Sequence, residues 1–180
     1  MPLFAGTRWA LAWGISYTIL VALAAALDVR TRRIPNWLVL ILGTLGIVYS
    51  TLEVPVSVGL WKAVGGIGLG LALWLPFYAL GWLGAGDVKF FAAASAWLGP
   101  TRALEAALAA AVTGAALAVV WMLWTYGVKR ALATLGVATA TPAVLAPSPR
   151  TGVGQRTLPY GVALALGALV AAWMSGLFLR

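Results

Sequence analysis

Apolar residues fall in six runs along the chain, separated by short polar breaks, at roughly 9–27, 35–52, 60–82, 88–98, 103–125 and 159–179. Most approach the ~20 residues a helix needs to cross a bilayer. Inside lipid a helix satisfies each backbone N–H and C=O within its own segment, so helices are the expected form. The pattern predicts an all-α polytopic membrane protein with about six transmembrane helices, one integral membrane domain over residues 1–180. The fourth run is short, which implies a tilted helix or one that starts below the membrane surface. Residues 126–158, with Thr-Ala-Thr-Pro, Ala-Pro-Ser-Pro and Gly-Val-Gly, read as a cytoplasmic loop.

Charge sets the expected orientation. Arg30, Arg32 and Arg33 follow the first run, Lys89 opens the fourth, and Lys129, Arg130, Arg150 and Arg156 lie in the long loop. These are eight of the twelve Lys and Arg residues; Arg8, Lys62, Arg102 and Arg180 fall on the other side. The positive-inside rule places the richer side in the cytoplasm and both termini outside. Residues 1–27 could instead be a secretory signal with a cleavage site at Ala22-Leu23-Ala24, but the arginines after the run oppose export, so the first run is read as a retained span. Trp9, Trp13, Trp61 and Trp97 near outer ends, and Trp37, Trp82, Trp121 and Trp124 near inner ends, form the expected interfacial belt.

Composition narrows the chemistry. The chain is 63% apolar and 9% charged, far from the roughly one quarter charged of a soluble domain. Its net charge of +8 is therefore a topology signal rather than a sign of nucleic acid, and lipid is the expected surround. There is no Cys and no His, which removes thiol nucleophiles, Cys/His metal sites and Ser-His pairs. No cofactor or metal is expected. Gly66 and Gly70 in the third run, and Ala107, Ala111 and Ala115 on one face of the fifth with Ala110, Gly114 and Ala118 on the next, are small residues at four-residue spacing, read as packing within the bundle rather than as a dimer face.

Acid–base chemistry must then draw on Asp28, Glu53, Asp87 and Glu105. Glu53 and Glu105 lie at outer ends and read as solvated interface charges. Asp28 ends the first run and Asp87 begins the fourth, both at the cytoplasmic side. Position alone leaves open whether they meet or merely cap their helices. Around Asp87 the chain reads Gly84-Ala85-Gly86-Asp87-Val88-Lys89; the glycines suit a loop that holds an extended peptide closely, and equally suit a turn with Asp87 as a helix N-cap. Around Asp28 it reads Asp28-Val29-Arg30-Thr31-Arg32-Arg33-Ile34-Pro35-Asn36, with Pro35 suited to a helix start. Lys89 is either an oxyanion or loop contact or another topology charge.

Asp28 followed by Arg30, Arg33, Ile34, Pro35 and Asn36, together with Gly84-x-Gly86-Asp87-x-Lys89, resembles the paired signature of the type IV prepilin peptidases, intramembrane aspartic proteases of bacteria. Leu158-Pro159-Tyr160-Gly161 at the start of the last run resembles a Pro-aromatic-Gly of that family. The resemblance implies that Asp28 and Asp87 are catalytic. It implies a prepilin or pseudopilin substrate with a short basic leader and an apolar helix, cut at the cytoplasmic face. Larger members carry a cytoplasmic Cys tetrad and also N-methylate the new terminus. This chain has no Cys and no spare segment before its first run, so it is similar to the short form found beside tight-adherence pili, and peptidase activity without methylation is expected.

Two close carboxylates cannot both ionise cheaply, so one serves as base toward water and the other donates to the carbonyl oxygen. Helix dipoles favour a resting proton on Asp28, at a helix C-terminus, over Asp87, at an N-terminus. The competing readings are a small channel or transporter, or a non-catalytic membrane subunit of a pilus or secretion machine.

Overall fold

The computed structural model describes residues 7–140, 160–174 and 176. Five helices follow in order: α1 (Thr7–Thr31), α2 (Asn36–Glu53), α3 (Val56–Ala79), α4 (Ala85–Ala140) and α5 (Tyr160–Met174). No strand occurs among the described residues. Among the described residues, four helices are long and apolar enough to cross a membrane: α1, α2, α3 and the part of α4 up to Val120. The protein is therefore a helical membrane protein, but the expected count of about six spans is not what the helices give. The fourth and fifth runs lie in the single element α4, and α5, with 15 residues, is about 22 Å long, short of a 30 Å hydrocarbon core. The helix also continues through residues 126–140, where a loop was expected. The remainder of that loop, residues 141–158, lies outside the described residues.

A sharp fold in α4 explains how one element covers two runs. Gly99 has a φ of +75°, a left-handed conformation open to glycine without steric cost, and Pro100 follows it, lacking the N–H that would continue the helix. The contacts show the consequence. Asp28 meets Gly161 of α5, and two residues further on Ala163 accepts a hydrogen bond from Thr113 Oγ1 at 3.2 Å. Asp28 also lies within electrostatic reach of Asp87. In a straight helix Asp87 and Thr113 would stand about 39 Å apart. They share one end of the bundle because α4 doubles back at Gly99.

Packing around the first arm of α4 is close. Gly66 and Gly70 of α3 lie directly on it: a Cβ on Gly66 would strike the carbonyl oxygen of Ser95, and one on Gly70 would come within 3.0 Å of Ala92 Cα. The small-residue spacing of the third run thus serves packing inside the bundle, as expected. Of the fifth run's small residues, Ala107 and Ala110 are buried and Gly114 faces Ala163, whereas Ala111 and Ala115 are exposed and take no part in the packing. A Gly66→Ala variant must push the two helices apart or displace backbone, at a cost of about 1–3 kcal/mol. Gly68, whose added Cβ meets nothing within 4 Å, provides the matched control. Thermal unfolding in detergent should show a lower midpoint for Gly66→Ala and none of that loss for Gly68→Ala.

Trp97 departs from the aromatic belt. It is fully buried, stacks on Tyr49 with ring centroids 5.3 Å apart, meets Trp13 edge-on and donates its indole N–H to the Leu42 carbonyl at 2.8 Å. Its polar handle is satisfied inside the bundle, which makes burial affordable for so large a side chain. Trp9, Trp37, Trp61, Trp82 and Trp124 are exposed, as interfacial anchors should be. At the end of the bundle away from the aspartates, Glu53 pairs with Lys62, whose ammonium lies 5.5 Å from the Tyr49 ring centroid and whose stem covers Gly99. Glu105 is exposed.

Candidate active site

Two of the four acidic residues meet at one end of the bundle. Asp28 lies in the last turn of α1 rather than after it, and is buried. Asp87 lies in the first turn of α4 and is half-buried. The two carboxylates are near enough for the charge of Asp28 to act on Asp87. The α1–α2 loop closes this end: Ile34 is buried and sits against Gly86, 3.7 Å from where a Cβ on that glycine would stand. The Asp-led loop and the glycine loop, far apart in sequence, are thus packed on one another.

Each carboxylate is held by one backbone amide. Gly84 N–H donates to Asp87 Oδ2 at 3.3 Å, while Asp87 N–H donates to the Gly84 carbonyl at 3.1 Å. Asp87 is therefore not the N-cap that its loop suggested. It is the third helical residue, reaching back to the amide of the capping residue as in a capping box. Gly161 N–H, at the second residue of α5, donates to Asp28 Oδ2 at 3.0 Å. This last contact removes the basis for a resting proton on Asp28. That expectation placed Asp28 at a helix C-terminus alone, whereas it also faces the N-terminus of α5, whose amide and dipole stabilise a charged carboxylate. Both acids now have a helix N-terminus beside them.

The other residues of the signature divide. Pro35 precedes α2 at its N-cap and its carbonyl accepts from Leu38 N–H at 3.1 Å. Arg30, Arg33 and Asn36 expose their side chains around the loop. Lys89 is exposed, and at two residues from Asp87 on a helix it points away from that carboxylate. Gly161 is marked in the sequence only through the Pro-aromatic-Gly resemblance, which assigns it no task. The contact itself joins residues 133 positions apart through a main-chain N–H, which no side-chain pattern announces. Arg32, one topology charge among three in the sequence, has its main-chain N–H on the Asp28 carbonyl at 2.9 Å.

A membrane bundle with two carboxylates at one end and no Cys or His anywhere in the sequence defines the class: a polytopic helical membrane protein with two acids at one end. The chain belongs to the type IV leader peptidase family, whose profile matches residues 15–119 and so covers both Asp28 and Asp87. A prepilin leader peptidase/N-methyltransferase of Dickeya chrysanthemi is 34% identical over 115 residues, which are 59% of this chain and 39% of that protein. The chain thus spans well under half the length of that curated relative. No solved structure matches it.

Proposed function

We propose that the protein is an intramembrane aspartic endopeptidase that removes the short basic leader of type IV prepilin-like proteins at the cytoplasmic face of the membrane. Family membership supports leader cleavage. The observation that carries the aspartic reading is the convergence of Asp28 and Asp87, each anchored by a main-chain amide, at the arginine-rich end of the bundle. In the proposed reaction one carboxylate takes a proton from water, whose oxygen attacks the scissile carbonyl carbon. The other donates its proton to the carbonyl oxygen. Collapse of the tetrahedral adduct breaks the C–N bond, and the departing amine takes up the proton that the base received. Positioning by fixed amides is the protein's main contribution.

The topology supports the same reading. With α4 folded at Gly99, the described residues make six helical arms, and α1 and α5, α3 and the first arm of α4, and α5 and the second arm pair in opposite directions. The acids then share the end marked by Arg30, Arg32, Arg33 and Lys89, the cytoplasmic side by the positive-inside rule. The same rule would orient a substrate with a basic leader so that its scissile bond reaches that level. Direct attraction of the leader to the arginine loop is not invoked, since like charges repel. Lys89, turned from Asp87, acts as a cytoplasmic-side charge. Methyl transfer is not proposed: the 180 residues hold no cysteine for a Cys tetrad.

Co-expression with a prepilin of the tight-adherence type tests this. The expected result is a leader-length mobility shift on a gel, with the mature N-terminus unmethylated by mass spectrometry. A channel, transporter or scaffold would leave the prepilin at full length.

A further inference from the structure

The helices that carry the two acids are not close packing neighbours. α1 lies mainly against α5, and α4 against α3, α5 and α2. Ring contacts between α1 and α4, those of Trp13 and Tyr17 with Trp97, stand far from the acids. Tyr17 precedes Asp28 by 11 residues and Trp97 follows Asp87 by 10, about 16 and 15 Å along their helices. Rings at that distance act as a pivot rather than a clamp: a tilt of about 4° around them moves the acid end by about 1 Å. The α5 amide fixes Asp28 from another side, but α5 rests on Ala106, Ala110 and Thr113 in the second arm of α4, beyond the fold at Gly99.

At the acid end the contact comes from the turn between α1 and α2. Among residues 29–37 Ile34 is buried and Pro35 half-buried, while the rest are exposed. Ile34 joins the core cluster of the bundle. Its Cβ and its backbone N and O each lie 3.7 Å from where a Cβ on Gly86, the neighbour of Asp87, would stand. The turn from Asp28 to Ile34 is braced from within. Arg32 N–H donates to the Asp28 carbonyl at 2.9 Å. Thr31 Oγ1 lies 2.8 Å from the Leu27 carbonyl and 3.0 Å from that of Arg33, so its one hydroxyl proton is shared between the last turn of α1 and the residue before Ile34. We propose that Ile34 is a positioning residue of the Asp28–Asp87 pair: seated on Gly86 at the end of a braced turn, it sets the separation of two carboxylates carried on helices that are not packed together. The inference rests on the aspartic reading above.

The chain holds no Cys, so Asp28→Cys with Asp87→Cys in the full chain creates a single thiol pair whose spacing bifunctional thiosulfonates of graded length can measure in membranes. Adding Ile34→Ala should slow joining by the shortest effective spacer about fivefold, and longer spacers should gain. With both acids restored, Ile34→Ala should lower kcat on a prepilin about tenfold with KM near that of the parent, and Ile34→Val should stay within about twofold. Leu42→Ala, at a fully buried position of the same core cluster, also leaves a cavity and lowers the unfolding midpoint, yet its kcat should stay within about twofold. Thr31→Val loosens the turn from an exposed position; it should lose about threefold in kcat, which Thr31→Ser restores. Unchanged cross-linking in Ile34→Ala overturns the proposal, as does a kcat loss no greater than that of Leu42→Ala. Should Ile34→Ala fail to fold, parent-like kcat and cross-linking in Thr31→Val overturn it instead. Cross-linking does not depend on catalysis, so the two levels separate. An Asp28→Asn that still cleaves ends the aspartic reading and this role with it, whereas an inactive Asp28→Asn beside a parent-like Ile34→Ala removes only the role of Ile34.

Discussion

Asp28→Asn and Asp87→Asn are each expected to lower leader cleavage about a thousandfold or more, the loss that follows when an acid–base pair lacks one partner. Asparagine retains the carboxamide oxygen, so it can still accept the amide of Gly161 at position 28 or of Gly84 at position 87. Thermal unfolding should therefore change little while activity disappears. The double variant should be no worse than either single one, because residues that act as a unit lose their contribution together. Measured initial rates on a purified prepilin, with the three unfolding midpoints beside them, decide the matter. A single variant that still trims at a substantial fraction of the parent rate would rule out an aspartic pair. A variant that is inactive because it is unfolded would show in the midpoint.

Much of this site was legible because polar residues are scarce in a membrane chain. With four acids and no Cys or His, the two at one membrane level stood out, and the basic loop and glycine loop around them carried a family pattern. The helix limits of α1, α2 and α3 followed from apolar run length, with shifts of a few residues at their ends. What the sequence hid was geometric. Gly99 and Pro100 were visible as a break between two runs, but whether such a break bends one helix or separates two is settled by a single backbone angle. Trp97 read as an interfacial anchor because its run is short and ends beside a polar turn; its burial depends on a carbonyl offered by Leu42 and a ring offered by Tyr49, both from α2. Residues 126–140 lacked the long apolar pattern of a span, yet backbone hydrogen bonding continues the helix through them. The resting proton is not assigned by the helix end that Asp28 itself occupies, because the N-terminus of α5 arrives beside it from 133 residues away.

That arrival makes Gly161 the most informative position outside the acids, and Gly161→Ala is expected to slow cleavage about a hundredfold. A Cβ at this position would stand 2.6 Å from Asp28 Oδ2, 2.8 Å from its Cγ and 3.0 Å from its Cβ, all inside contact distance, so either Asp28 or the start of α5 must retreat by a sizeable fraction of an ångström. Misplacement on that scale at a reacting group costs about two orders of magnitude. The remaining anchors of α5 are untouched: Tyr17 still meets the Ala168 carbonyl, and Gly167 still packs on Ala106 and Ala110. The loss should thus fall mainly on kcat, with KM close to that of the parent and the unfolding midpoint lowered only modestly. Gly114→Ala supplies the comparison, since it adds a methyl to the same α4–α5 interface at an ordinary 3.4 Å from Ala163 Cβ without approaching Asp28, and its rate should stay within about twofold. If both variants cleave alike, the α5 amide is a packing contact with no bearing on the reaction. If only Gly161→Ala fails, the carboxylate of Asp28 works where that amide holds it.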